Sequence, residues 1–270
     1  MEEKNLTVIE HIEEIRKRLI VIVVFFVMAV IGSFFLAKPI IQFVQFRATD
    51  SGHLTESSFH AFTVIDPIAI YLKVIIFLAV IIILPIIMYQ FWSFISPGLH
   101  ETERKVTLAY IPFAFILFLI GISFSYFVLM PFVMNFMNNL AGDLGITQTI
   151  GINEYFSFLF QILIPFGVVF QLPIVMLFLS RLGILDPKKL VKVRKIAYFV
   201  LFVIAAFITP PDIMSHLLVT VPLFGLYEIS IIISRFGYKK FLKAEEKRKF
   251  EEIKAEQQRQ IDEVMGNLDK

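Results

Sequence analysis

His11-Ile12-Glu13-Glu14-Ile15-Arg16-Lys17-Arg18-Leu19 is a charged stretch that opens directly into an apolar block running to about residue 46. That juxtaposition decides the fold. Crossing ~30 Å of hydrocarbon takes roughly 20 helical residues, and this block is longer. The charged groups at its mouth then lie at the bilayer surface, where they can meet a charged partner. No small-residue cleavage pattern follows the block, so it reads as a retained helix and not as a signal peptide.

Outward from this first block the pattern repeats. Apolar stretches fall at about 19–46, 67–95, 107–134, 154–180, 196–209 and 213–234. The chain is 57% hydrophobic and 15% aromatic, with a mean hydropathy of +0.78. Its apolar residues come in blocks and not with a period of 3.6 or 2, which is the membrane signature. The expectation is an all-α integral membrane protein with six transmembrane helices. The fifth stretch is short, at about 14 residues, and would cross only by thinning the bilayer. Thr209-Pro210-Pro211-Asp212 forces a turn after it, so the short fifth and sixth helices read as one hairpin. Pro85, Pro112, Pro131, Pro165, Pro173 and Pro222 fall in or at the ends of apolar runs and predict a kinked, cupped bundle. A proline in a first turn, such as Pro67, disturbs little.

Charge sets the orientation. Of 25 lysines and arginines, 22 fall at the N-terminus, the 96–106 hairpin, the 181–195 connection or the tail, all on one side of the six spans. By the positive-inside rule both termini are cytoplasmic. Three regions follow: a cytoplasmic amphipathic helix over 1–18, a membrane domain over 19–234 and a charged cytoplasmic tail over 235–270. The location expected is the cytoplasmic membrane.

Several classes of chemistry find no support. There is no cysteine, and the five histidines are scattered with no i, i+4 pair, so neither a disulfide nor a metal site is expected. No Gly-rich phosphate loop occurs, no cofactor is expected, and no nucleic-acid partner. Ser123, Ser125 and Ser157 have no neighbouring His or Asp in sequence, so an intramembrane enzyme is not expected. A secondary transporter for a small solute or ion is the alternative function, but no inverted repeat or mid-membrane ionisable cluster is evident.

The charged and polar positions each carry two readings. Thr7-Val8-Ile9-Glu10 fits a capping box, so a helix starts near Thr7 and lies at the surface before turning into the first span. On it, Glu14 and Arg18 stand at i, i+4 spacing. Either they serve each other, worth only ~0.2–0.5 kcal/mol, or Glu14 faces outward to accept a guanidinium. Glu103 sits in a hairpin turned by Pro97-Gly98, preceded by Trp92 and Phe94 as interface aromatics. Gln161 and Gln171 are polar groups at membrane depth, either interhelical glue or functional. Glu228, if at mid-membrane, would be the costliest group in the chain. Asp212 reads as a cap after the double proline. Phe250, Ile253, Ile261, Val264 and Leu268 give the tail a near-heptad spacing, but a solvated tail is the simpler reading.

Taken together and in order, these motifs resemble the TatC family, the multispanning core of the twin-arginine protein translocase. The matching stretches are His11–Leu19, then Tyr89-Gln90-Phe91-Trp92-Ser93-Phe94-Ile95-Ser96-Pro97-Gly98-Leu99 with Glu103-Arg104, and Tyr126-Phe127 with Pro131. Further on come Phe166-Gly167-Val168-Val169-Phe170-Gln171-Leu172-Pro173, Thr209-Pro210-Pro211-Asp212 and Leu226-Tyr227-Glu228-Ile229. The resemblance implies a receptor for twin-arginine signal peptides of folded cargo, powered by the proton-motive force. It places the binding carboxylates at Glu14 and Glu103, with Arg16 and Arg18 at family-typical basic positions and Phe94, Pro97 and Leu99 shaping the loop. Gln171, Tyr126, Asp212 and Glu228 are then candidate intramembrane or partner contacts. Small single-span TatA/TatB-type subunits would complete an oligomeric complex in the lipid bilayer. One departure is plain. The family commonly carries glutamate where Gln171 stands, so a mechanism needing a titrating carboxylate there does not carry over.

Overall fold

The computed structural model describes residues 8–50, 59–96, 104, 107–146, 149–209 and 213–268. It is all-α apart from one two-residue ladder. Among the described residues, five helices are long and apolar enough to cross a membrane: Ile12–Ala48, Asp66–Ile95, Tyr110–Asp143, Ile152–Arg181 and Ile213–Ile261. The fifth expected span is the 15-residue helix Arg194–Ile208, which falls below that length.

The chain divides into two compact units, one of residues 1–171 with 201–223, the other of residues 172–200 with 224–270. In the first unit, α1 (Val8–Asp50) is a single helix. The expected turn between a surface helix and the first span is therefore not there: nothing between Arg18 and Leu19 breaks helical hydrogen bonding, and the rod continues. The capping box at Thr7 lies outside the described residues. Helix α1 packs most extensively on α2 (Asp66–Ile95). It buries Ala29, Ser33, Ala37, Val44 and Ala48, whose spacing of four or seven residues puts a stripe of mostly small side chains on one face. On α2, Val74, Ala79 and Ile83 are buried in turn. Such stripes let two helices approach closely in lipid, where packing and not water exclusion drives association. The outward faces carry exposed Phe34, Phe35, Leu72 and Ile76, as a hydrocarbon environment requires.

Helix α3 (Tyr110–Phe124) runs through a π turn (Ser125–Leu129) into α4 (Met130–Asp143). Pro131 is the cause. It has no N–H to donate and its ring crowds the carbonyl four residues back, so the chain takes in one extra residue. The Met130 N–H accordingly reaches the Ser125 carbonyl, five residues back. Pro67, Pro131 and Pro173 lie in first turns, whereas Pro39, Pro85, Pro165 and Pro222 lie inside helices. The expected fourth span is two helices, α5 (Ile152–Val169) and α6 (Leu172–Arg181). Before Pro173 the backbone tightens, the Gln171 N–H bonding the Val168 carbonyl only three residues back, and the helix restarts.

Glycines make the α3–α5 crossing possible. A Cβ on Gly121 would lie 2.8 Å from the Phe170 Cβ and 3.0 Å from the Phe166 carbonyl oxygen, and one on Gly167 would lie 2.6 Å from the Phe118 ring. Each glycine thus seats an aromatic of the facing helix. Outside the spans, β1 (Phe59–His60) pairs in parallel with β2 (Ile150–Gly151). Buried Asp66 gathers the turn before α2, accepting from the Phe62 and Thr63 N–H groups, each at 2.9 Å, and from Thr63 Oγ1 at 2.7 Å.

In the second unit, α6 is followed by α7 (Pro187–Lys192), which Asp186 caps by accepting from the Lys188 N–H at 2.8 Å. Helix α8 (Arg194–Ile208) begins in this unit, and α9 (Ile213–Leu268) carries the sixth expected span and then the tail. The tail is helical as far as Leu268, with i, i+4 pairs Glu245–Lys249 at 2.8 Å and Lys247–Glu251 at 3.6 Å. Its spaced apolar residues Phe250, Ile253 and Ile261 are exposed.

Gly121→Ala should lower the thermal midpoint of the detergent-purified protein, by the ~1–3 kcal/mol typical of overpacking. Gly32→Ala, whose Cβ meets nothing within 4 Å, should not lower it, since alanine is about 0.5–1 kcal/mol better than glycine inside a helix. A thermal unfolding scan of both variants checks this.

Candidate functional site

The charged start of α1 lies against the far end of α2. Arg18 Nη2 pairs with Glu14 Oε1, one helical turn earlier. The same nitrogen donates to the Ser93 carbonyl at 3.0 Å, and Nη1 reaches the Gln90 carbonyl at 3.4 Å. The guanidinium carbon stands 6.0 Å from the centroid of the Phe94 ring, within range of a cation–π contact. The Glu14 side chain is 27% exposed and that of Arg18 is 19% exposed. Glu14 is thus paired with Arg18, as the first of its two readings has it, and its side chain stays partly exposed. Arg16 is exposed, and Glu13 pairs with Lys17 at 3.0 Å.

Beyond Ser96 the next described residues are Arg104 and those from Thr107 on. They are tied back to α2, Trp92 Nε1 donating to Thr107 Oγ1 at 3.0 Å and Thr107 Oγ1 to the Arg104 carbonyl at 3.2 Å. The Arg104 guanidinium stands 6.0 Å from the Trp92 ring centroid. Trp92 is thus a half-buried brace as well as an interface aromatic. Pro97, Leu99 and Glu103 lie outside the described residues, as does Asp212.

The remaining candidates are dispersed. Gln171 Nε2 donates to the Ala114 carbonyl at 3.1 Å, and its Oε1 is buried with no hydrogen-bond partner among the described residues. The glutamine therefore acts as glue to α3. Tyr126 lies in the π turn, 6.3 Å from the Phe43 ring and 4.9 Å from Phe127, with the Arg47 guanidinium 5.9 Å from the Phe127 centroid. Gln161, exposed, donates to the Phe207 carbonyl at 3.1 Å. Glu228 belongs to the second unit and is not isolated. Arg194 meets it at two points, Nε to Oε1 and Nη2 to Oε2, each 2.9 Å, and the Tyr198 hydroxyl donates to Oε1. Tyr198 also stacks on Phe224 at 4.4 Å.

Sequence reasoning missed Arg194 and Tyr198 as partners of Glu228. A carboxylate in an apolar run was the available signal, since it demands a counter-charge. It also left Lys73 unexplained. Its ammonium is held by Asn153 Oδ1 and Ser157 Oγ of α5, both at 2.6 Å, an i, i+4 pair of oxygens on the facing helix.

Long apolar helices, with their polar side chains spent on each other, define a multi-pass membrane protein. The family model for the Sec-independent protein translocase protein TatC matches residues 10–222. A TatC from Halalkalibacterium halodurans is 52% identical over 251 residues, covering 93% of this chain and 98% of that one. TatCy of Bacillus subtilis is 49% identical over 244 residues, covering 90% and 94%. A solved structure, described as the crystal structure of the twin arginine translocase receptor TatC, superposes with a TM-score of 0.74 at 30% identity. That match covers 84% of this chain and 99% of the other. The chain belongs to the TatC family and is a component of the protein-transport machinery that family forms.

Arg194→Ala should destabilise the protein by more than the ~1 kcal/mol of an exposed pair and less than the ~3–5 kcal/mol of a fully buried one, because Glu228 is left with Tyr198 alone. The double variant Arg194→Met with Glu228→Leu should recover most of that loss. Thermal midpoints of the two variants compared with wild type check it.

Proposed function

We propose that this chain is the signal-peptide receptor and core subunit of the twin-arginine translocase, acting in the export of folded proteins across the cytoplasmic membrane. The observation that carries the reading is the Glu14 carboxylate, held partly exposed at the charged start of α1 and braced against the end of α2. A planar guanidinium can be held by a carboxylate at two points, whereas an ammonium cannot reproduce the fork. Glu103, by resemblance, supplies the second carboxylate, and paired carboxylates suit paired arginines. The solved relative is itself described as a receptor, which agrees with this reading.

The six apolar stretches are taken as six spans, and the distribution of lysine and arginine then puts both termini in the cytoplasm. In that arrangement α8, roughly 22 Å long at 1.5 Å per residue, crosses where the bilayer thins. Small single-span TatA/TatB-type subunits complete the complex, and the proton-motive force drives it.

A fluorescent peptide bearing the twin-arginine motif, and its Lys-Lys variant, should be titrated into the detergent-purified protein. The arginine form should bind tighter. Glu14→Ala and Glu103→Ala should each weaken it about tenfold, the ~1.4 kcal/mol or more of a charge-assisted hydrogen bond, and the double variant further. Binding should also weaken as salt is raised, because the pairs are partly exposed. Unchanged binding by the double variant removes these carboxylates from the site.

A further inference from the structure

Arg18 carries the same positive charge as the ligand proposed above, so it cannot attract that ligand directly. We propose instead that Arg18 is a positioning residue, which fixes the Glu14 carboxylate against the end of α2 so that its free oxygen receives an incoming guanidinium. The proposal rests on the reading of Glu14 as a signal-peptide contact.

Three features support it. The first is how the guanidinium is spent. Nη2 serves Glu14 Oε1 and the Ser93 carbonyl, and Nη1 serves the Gln90 carbonyl. Nε is buried without a hydrogen-bond partner among the described residues. A side chain committed to three oxygens of its own chain, and only 19% exposed, has little left to offer a peptide.

The second is the electrostatics of the place. Helix α2 ends at Ile95, so the Ser93 carbonyl is among the last four, which lack intrahelical donors and form the negative end of the helix dipole. A bare carboxylate brought to such an end is repelled. A guanidinium set between carboxylate and carbonyls turns that repulsion into two attractions. Glu14 stays where it is because Arg18 is there.

The third is what remains available. Arg18 takes Oε1 of Glu14, and no described residue donates to Oε2. The carboxylate is oriented by one oxygen and open at the other. Lysine at position 18 would keep the charge but not the planar fork that spans helix α1 and the two carbonyls.

The test is a double-mutant cycle on the full chain in detergent, read by anisotropy of the labelled twin-arginine peptide and of its Lys-Lys variant. Arg18→Ala should lose about as much affinity as Glu14→Ala, tenfold or more, and Arg18→Lys should recover only part. Glu14→Ala with Arg18→Ala should bind no worse than Glu14→Ala alone, because a positioning residue has nothing to position once the carboxylate is gone. The preference for arginine over lysine in the peptide should fall in Arg18→Ala as it does in Glu14→Ala. General loosening of the fold would weaken both peptides alike and leave that ratio intact. Tighter peptide binding by Arg18→Ala would overturn the proposal and make Arg18 a competitor for the carboxylate. Multiplying losses in the double variant would overturn it too, assigning Arg18 an independent role. If Glu14→Ala itself binds normally, the underlying reading of Glu14 fails, whatever Arg18 does. Should Arg18→Ala not yield monodisperse protein, Arg18→Gln, which keeps a donor for the carbonyls, is judged by the same non-additivity and the same ratio.

Discussion

A backbone amide inside hydrocarbon has only its own chain to bond with. That constraint removes every spanning option here except the helix, and it extends to side chains. A polar group carried into the apolar blocks gains by finding a partner, either a carbonyl one turn back, as Ser125 and Ser230 do, or a group on a neighbouring helix. Four pairs are of the second kind. Lys73 takes two oxygens of α5, Gln171 takes a carbonyl of α3, Ser180 meets Ser234 at 2.5 Å, and Glu228 takes Arg194 and Tyr198. Because these partners lie on different helices, the bonds also select which helices are neighbours. In lipid there is no hydrophobic drive between helices, so interhelical hydrogen bonds and close packing set which helices associate.

The same reasoning explains how much was legible in the sequence. Span positions follow from block length, so α2 and the stretch from α3 through α4 fall close to where the hydropathy puts them. The short fifth helix was legible too, because its apolar run is itself short. Breaks caused by proline were legible in kind and not in place. Pro131 bulges its helix and Pro173 stops one, whereas Pro85 and Pro165 are carried inside continuous helices. Proline marks where a backbone bond is lost, and the residue type alone does not fix whether the helix bulges, stops or runs on. The turn expected between Arg18 and Leu19 failed for a related reason. A change from polar to apolar marks a change of solvent, and a helix passes through it unaltered.

At the candidate site, residue types were legible and pairings were not. Glu14 and Arg18 announce themselves by their spacing, and the resemblance singles out both. That Arg18 also reaches Gln90 and Ser93, more than seventy residues away in sequence, depends on how α1 lies along α2. The stripe of mostly small residues along which α1 packs, Ala29 to Ala48, lies in a different part of the helix from the contact at Arg18. Asp66 and the Phe59–Ile150 pairing escaped notice likewise, since local polar turns and two-residue ladders leave no periodic trace.

Helix α1 has a mechanical consequence through its length. Its 43 residues make a rod of roughly 65 Å, about twice the thickness of the hydrocarbon it crosses. With no break between Arg18 and Leu19, the charged start and the apolar length of α1 are one continuous element, held on α2 both at Arg18 and along its buried stripe. A displacement of the charged end therefore has no loop on α1 to absorb it.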